Sequence, residues 1–337
     1  MKVLGIETSC DECSAAVVED GRNILSNVIA TQIELHRPFD GVVPELASRL
    51  HTEWISQVVN AALMQAGMTV DDIDAIAATS RPGLLGSLLV GLNFAKGMAS
   101  VLKVPFIGID HIRAHLYAPQ IEHPLEYPYL GVLLSGGHTV ICRVDSYDSV
   151  EVLGTTIDDA IGEAFDKVAK HYGLGYPGGV MIDKLSQNGD PYAFKFTSPK
   201  IDKGYHPYDI SYSGLKTAVI NQLEIFSTGK EEATPENIAA SFQRVAVGML
   251  MKRVEKALED TGLTRISAGG GVAANSLVRS SLKALEGKGF EVSFPSLKLC
   301  TDNGAMVAGL GYRYIADGIT SCYDLTASAR VRAFKKS

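Results

Sequence analysis

KVLGIETSCDECSAAVV, residues 2–18, decides the fold. Val3 to Glu7 reads as a short apolar strand and Ala15 to Val18 as a second. The polar turn ETSCDEC, residues 7–13, joins them. The turn contains a C-x-x-C, Cys10 and Cys13. A thioredoxin-like redox pair needs that motif at a strand-to-helix junction, whereas the SAAVVED that follows reads as a strand. No second Cys/His pair at zinc-finger spacing follows either. The five cysteines, Cys10, Cys13, Cys142, Cys300 and Cys322, are too few and odd in number for a disulfide framework.

The pattern restarts at YLGVLLSGGHTVICRV, residues 129–144, again strand, turn, strand. Two weakly similar halves predict a duplicated fold. Each turn offers hydroxyls and backbone N–H groups where a phosphate could sit between the halves. Between them lie a helix from Pro44 to Gly67, a strand at 74–79, a helix after Gly83 and Gly86, and the strand PFIGID. That alternation is α/β layering. The second half is more helical. DDAIGEAFDKVAKHYGL places Ile161, Ala164, Phe165, Val168, Ala169 and Tyr172 on one face and Asp159, Glu163 and Asp166 on the other. Thr234-Pro235 opens a long helix that ends near Gly262. The strand RISAGGGVAAN, a helix from Asn275, the strand EVSFPS and a helix from about Asn303 follow. The expected division is a first lobe over 1–108, to which 325–337 returns, and a second lobe over 109–324 carrying the metal and most nucleotide contacts. The lobes are expected to interlock, with a ligand in the cleft between them.

The chain's 337 residues, 46% of them apolar, allow two cores. A net charge of −7 argues against a surface that grips nucleic acid all over, so RNA contact would be local or shared with a partner. The basic tail ARVRAFKKS is either such a patch or a solvated terminus. No run of 18 or more uncharged apolar residues occurs, and MKVLGIETSC lacks a signal peptide's h-region, so a cytoplasmic protein with no membrane span is expected.

In DHIRAH, His111 and His115 are four apart and share a helix face after a strand's C-terminal end. With Asp302 of CTDNGAM they make two imidazoles and a carboxylate, a metal set with open positions. The alternative is a pair of ordinary surface histidines. A metallopeptidase H-E-x-x-H is absent, because Ile112 and Arg113 follow His111 and neither accepts a proton. In LSGGHT, Ser135, Gly136 and Gly137 offer N–H groups to a phosphate and His138 a ligand contact; a tight hairpin is the alternative. Gly269, Gly270 and Gly271 precede a helix N-terminus suited to an anion. Gly178 and Gly179 permit a sharp turn, Asp183 can accept ribose hydroxyls, and Lys216 can meet a phosphate.

Three Gly-rich turns in a duplicated α/β chain resemble the actin-like ATPase and sugar-kinase fold. GIETSCDE, GVVPELASRLH, PGLLGSLLVG, HIRAH, LLSGGHT, DDAIGEAFDKVAK, YPGG, SGLKT, GGGVAAN and CTDNGAM together, in order from residue 1 to about 320, resemble the TsaD family of tRNA N6-adenosine threonylcarbamoyltransferases. The resemblance implies transfer of threonylcarbamoyl from threonylcarbamoyl-AMP to N6 of adenine 37 in tRNAs reading codons that begin with A. It implies one divalent metal, usually iron with zinc or magnesium as alternatives, on His111, His115 and Asp302. It implies nucleotide contacts at Leu134, Ser135, Gly136, Gly137 and His138, and substrate contacts at Asp166, Gly179, Asp183 and Asn275. Asp11 and Glu12 match the family's acidic pair, expected to accept the amine proton. It also implies a TsaB-like paralogue and a TsaE-like ATPase as partners. Where the family has Thr, Gly and Gly, this chain has Cys13, Asp40 and Arg81. The two lost glycines call for turns without positive φ or for strain of roughly 1 kcal/mol. The other readings are a metal-dependent ATPase or small-molecule kinase of the same fold, a scaffold lacking metal ligands, and the disfavoured metallopeptidase.

Overall fold

A computed structural model describes residues 1–197, 206–221 and 234–330. The chain divides into two units, Met1–Pro124 with 295–330, and Leu125–Phe294. In the first unit, β1 (Lys2–Glu7), β2 (Glu12–Glu19) and β3 (Asn23–Thr31) form an antiparallel meander. β4 (Ala75–Arg81) joins β1 in parallel, and β5 (Phe106–Asp110) joins β4 in parallel, giving the order β3-β2-β1-β4-β5. The second unit repeats this. β6 (Tyr129–Leu134), β7 (Thr139–Val144) and β8 (Val150–Thr155) form the meander; β9 (Arg265–Gly269) and β10 (Glu291–Ser293) add in parallel, in the order β8-β7-β6-β9-β10. The echo between 2–18 and 129–144 is therefore a true duplication. Neither β3 nor β8 is legible in the sequence. Both are half-exposed strands at a sheet edge, where the alternation of apolar and polar residues fades.

The helices are α1 (Ile33–His36), α2 (Pro44–Gln65), α3 (Leu85–Leu102), α4 (His111–Glu122), α5 (Ile161–His171), α6 (Gly178–Ser186), α7 (Ser213–Asn221), α8 (Pro235–Thr261), α9 (Ser276–Lys283), α10 (Leu297–Cys300) and α11 (Gly304–Ala316). Their ends obey local chemistry. Pro44 and Pro235 occupy the first turn, Thr234 caps α8 by accepting from the Asn237 N–H, and Gly262 closes α8 in the left-handed region. α3 is long and apolar enough to cross a membrane by length and composition. In the fold, Leu92, Ala95 and Ala99 face the core shared with β1, β4 and α2, and Lys96 donates to the Leu325 carbonyl.

The division differs from the expected 108/109 boundary. α4 and α11 pack with the first sheet and with each other, and α10 packs on α4. His111, His115 and Asp302 thus all lie in the first unit. The restart at residue 129 marks the second sheet, but the return of 295–324 depends on the seat of α11 across β1, β2 and β4. Two glycines make that seat. A Cβ on Gly5 would lie 2.2 Å from the Gly304 carbonyl oxygen, and one on Gly304 would lie 2.6 Å from the Ala16 nitrogen. Leu325 and Ala327 pack on the first core, and the Ser328 N–H bonds the Ser80 carbonyl at 3.0 Å. The remainder of the basic tail, from residue 331, lies outside the described residues. Asp40 does adopt the left-handed conformation, with φ 50, one that Asp tolerates better than most residues. Arg81 needs no such adjustment: it ends β4 and its Nε reaches Asp110 at 3.3 Å.

Candidate functional site

α4 starts directly at the end of β5. Asp110 caps it, with Oδ1 accepting the Ile112 N–H (3.0 Å) and the Arg113 N–H (3.2 Å). That cap makes His111 the first helical residue and aligns it with His115, one turn on. The two rings meet edge to face with centroids 4.5 Å apart. Asp302 arrives from the start of α11, where Asn303 accepts the Met306 N–H at 3.0 Å and so ends the preceding loop. Asp302 Oδ1 is 3.0 Å from His115 Nε2 and 3.6 Å from His111 Nε2. One donor atom from each of the three lies within 4.8 Å of the others.

An outer carboxylate orients this set. Glu7 is fully buried. Its Oε2 is 3.1 Å from His111 Nδ1 and accepts the Thr79 hydroxyl at 2.5 Å, while Oε1 accepts the Ser9 N–H at 2.5 Å. Ser9 Oγ also lies 3.1 Å from His111 Nδ1. A carboxylate on Nδ1–H leaves the Nε2 lone pair directed at Asp302, the orientation a metal ligand requires. Burial opposes a charge on His111, but Asp302 and Glu7 outweigh it and raise its pKa to about 9. Burial and the neighbouring His111 lower that of His115. The pocket thus favours one positive charge beside two carboxylates, and a divalent cation on two imidazoles and Asp302 meets that demand. Sequence reading missed Glu7, Ser9 and Thr79. The only signal for Glu7 was an acidic residue inside an apolar strand.

Asp11 is buried, and Glu12 is half-buried at the start of β2. Burial, reinforced by Asp302 and Asp11, raises the Glu12 pKa well above the usual carboxylate range.

In the second unit the β6–β7 turn is the tight hairpin. The Ser135 N–H bonds the His138 carbonyl at 2.8 Å and the His138 N–H bonds Ser135 Oγ at 3.1 Å. Gly136 and Gly137 are exposed, their N–H groups have no partner among the described residues, and a Cβ on either would meet nothing within 4 Å. The turn is thus both a hairpin and an open cradle. The Leu134 side chain is in the core, so only its backbone is available. Asp166 Oδ1 accepts the Gly179 N–H at 3.3 Å, joining α5 to α6. Asp183 accepts from Ser276 Oγ (2.6 Å) and Gln243 Nε2 (3.2 Å). Asn275 caps α9 and donates to Gln243 Oε1 at 3.4 Å. Gln243, 2% exposed, thus holds Asp183 and Asn275 together. The sequence hid it on a largely buried face of α8. Lys216 is bound to Asp159 at 2.6 Å, which Lys167 shares at 2.7 Å, so its first partner is a carboxylate and not a phosphate.

Two five-stranded sheets of one strand order, each a meander with two parallel strands added, are those of the actin-like ATPase class of fold. Full-length HypF superposes with TM-score 0.61 at 16% identity, over 95% of this chain and 47% of that protein, so the chain spans about half of HypF. Component A of (R)-2-hydroxyglutaryl-CoA dehydratase from Acidaminococcus fermentans superposes with TM-score 0.56 at 18% identity, over 94% and 99% of the two chains. The particular family follows from sequence. Residues 23–309 match the model of TsaD, tRNA N6-adenosine threonylcarbamoyltransferase, and the chain belongs to that family. Proteins of that name from Treponema denticola and Borrelia duttonii are 60% and 51% identical, each covering at least 98% of both chains.

Proposed function

We propose that the chain transfers the threonylcarbamoyl group of threonylcarbamoyl-AMP to N6 of adenosine 37 in tRNAs reading codons that begin with A, in the cytoplasm. The observation that carries this reading is full-length kinship with threonylcarbamoyltransferases in a chain whose His111, His115 and Asp302 converge. A new N6–carbamoyl bond forms, the carbamoyl–oxygen bond to phosphate breaks, and AMP leaves. The N6 lone pair is delocalised into the purine, so the carbonyl carbon must be made more electrophilic. A divalent metal, iron(II) in this reading, with zinc or magnesium as alternatives, would be held by His111, His115 and Asp302 and supply Lewis acidity.

The remaining roles fall to the chain's own groups. Gly136 and Gly137 N–H donate to the adenylate's oxygens, stabilising negative charge, with Leu134, Ser135 and His138 completing the loop. Asp183 and Asn275 bind its polar groups, with Asp166 and Gly179 shaping their surroundings. Asp11 or Glu12 accepts the amine proton, a contribution of roughly 10²- to 10⁴-fold. Adenosine 37 lies in a single-stranded loop, which spares the cost of opening a duplex. A TsaB-like paralogue and a TsaE-like ATPase complete the assembly. The test is incubation of the metal-loaded protein with threonylcarbamoyl-AMP and unmodified tRNA, with and without those partners, then digestion of the tRNA. Threonylcarbamoyladenosine is expected in the complete mixture, and its absence there overturns the reading.

A further inference from the structure

Three consecutive carbonyls in the turn that carries Asp11 and Glu12 are held from outside it. The Ser9 oxygen accepts the Leu84 N–H at 2.8 Å, and the Asp11 oxygen accepts the Gln32 N–H at 3.2 Å. Between them, the Cys10 oxygen faces His51 Nε2 at 2.8 Å, from a residue 41 positions away on α2. A carbonyl only accepts, so His51 carries its proton on Nε2 and its Nδ1 is a bare acceptor. Gln32 Nε2 stands 3.4 Å from that Nδ1, which turns Gln32 Oε1 toward His36. His36 Nε2, 3.1 Å from Oε1, therefore donates, and His36 Nδ1 accepts the Val43 N–H at 3.3 Å. Every proton in the row has one place: Val43 to His36, His36 to Gln32, Gln32 to His51, His51 to the Cys10 carbonyl. Gln32, His36 and His51 are all fully buried, where an unmade bond is expensive.

We propose that His51, backed by Gln32 and His36, is a positioning residue for the reaction. The row sets the tilt of the peptide plane between Cys10 and Asp11 and thereby aims the side chains of Asp11 and Glu12. It also ties the turn to the start of α2, since Val43 is the residue before Pro44. The inference rests on the reading of Asp11 and Glu12 as the proton-accepting pair. A row that served only the fold would lower stability and leave the turnover of folded protein alone.

The test compares His51→Leu, His51→Gln and Gln32→Met with the parent in threonylcarbamoyl transfer to tRNA, partners present, at matched metal content and verified fold. His51→Leu strips the donor from the Cys10 carbonyl, and kcat is expected to fall about 10²-fold, the order that a misplacement of about 1 Å costs. KM for either substrate should move by less than about threefold, since the lost interaction aims a catalytic group. His51→Gln keeps an N–H near the Nε2 position and should restore kcat to within about tenfold of the parent. Gln32→Met removes one link further back and should lower kcat less, which keeps the test decisive if His51→Leu does not fold. In whichever of the Asp11→Asn and Glu12→Gln backgrounds lowers turnover, the effect of His51→Leu should shrink to less than about twofold, the signature of residues acting as a unit. Unchanged kcat in a folded His51→Leu or Gln32→Met protein, or an undiminished loss in that background, overturns the positioning role. Parental turnover in both Asp11→Asn and Glu12→Gln would instead overturn the reading of the acidic pair, and the positioning role with it.

Discussion

Gly5→Ala tests how the fold builds the metal set, because Gly5 lies inside β1 and is not itself a ligand. The added Cβ would lie 2.2 Å from the Gly304 carbonyl, 2.5 Å from the Ala308 nitrogen and 2.8 Å from the Ala308 Cβ. The first two of these neighbours are backbone, so no side chain can swing aside to relieve them. Reaching even the 3.0 Å that real Cβ atoms rarely undercut moves α11 about 0.8 Å off the sheet. Asp302 stands two residues before Gly304 and travels with it, away from His115 Nε2 at 3.0 Å. Metal–ligand distances tolerate only about 0.2 Å, so metal affinity should drop on the order of 10- to 100-fold, as when an orienting partner is lost. Overpacking should also cost about 1–3 kcal/mol of stability. The assay is metal content after equilibration against graded chelator, with urea unfolding alongside. A folded Gly5→Ala protein with parental metal affinity would refute the claim that the Gly5–Gly304 contact places Asp302.

Gln243→Leu should raise KM for the adenylate about tenfold and change kcat less, since Gln243 only anchors Asp183 and Asn275; about 1.4 kcal/mol is one hydrogen bond's order. Equal kcat/KM in steady-state assays of the two proteins would count against that role. Cys13→Thr should keep transfer activity within about twofold, because Cys13 faces the first core at 1% exposure and the new hydroxyl costs only stability, about 1 kcal/mol. Loss of activity at full metal content would show that the thiol matters. Burial lowers the His51 pKa below its ordinary 6.5 despite the Cys10 carbonyl, so the fold holds it neutral. Below pH 6.5 the unfolded chain binds a proton that the folded chain refuses, so this site's contribution to stability is full above that pH and declines beneath it. Urea midpoints at pH 5.5 and 7.5 should therefore converge in His51→Gln relative to the parent; an unaltered gap would contradict the assignment.

Much of the fold was legible in local chemistry. Pro44, Thr234-Pro235, Gly262, Asn275 and Asn303 all stand at helix ends, because caps and φ-fixed residues act within a few positions of themselves. The two strand–turn–strand openings announced the duplication for the same reason. The spacing of His111 and His115 exposed half of the triad. β3 and β8, half-exposed at the edges, carry too weak a pattern to be read.

The sequence by itself determined the duplicated α/β plan and the family, since each depends on residue types at short spacings or on motifs in order, and it singled out His111, His115 and Asp302 as the candidate metal set. Only the tertiary structure decided that the triad belongs wholly to the first unit, because the return of α11 rests on two glycines 299 positions apart that bring backbones into contact. It alone decided that Glu7 orients His111, that Gln243 joins Asp183 to Asn275, and that His36, Gln32 and His51 form a directed row to the Cys10 carbonyl. Each of these is a hydrogen bond between residues distant in sequence, and hydrogen-bond geometry leaves no periodicity in the chain for a reader to find. ETSCDEC illustrates both halves: its acidic pair stood out by composition, but what holds that pair in place comes from three other segments of the fold.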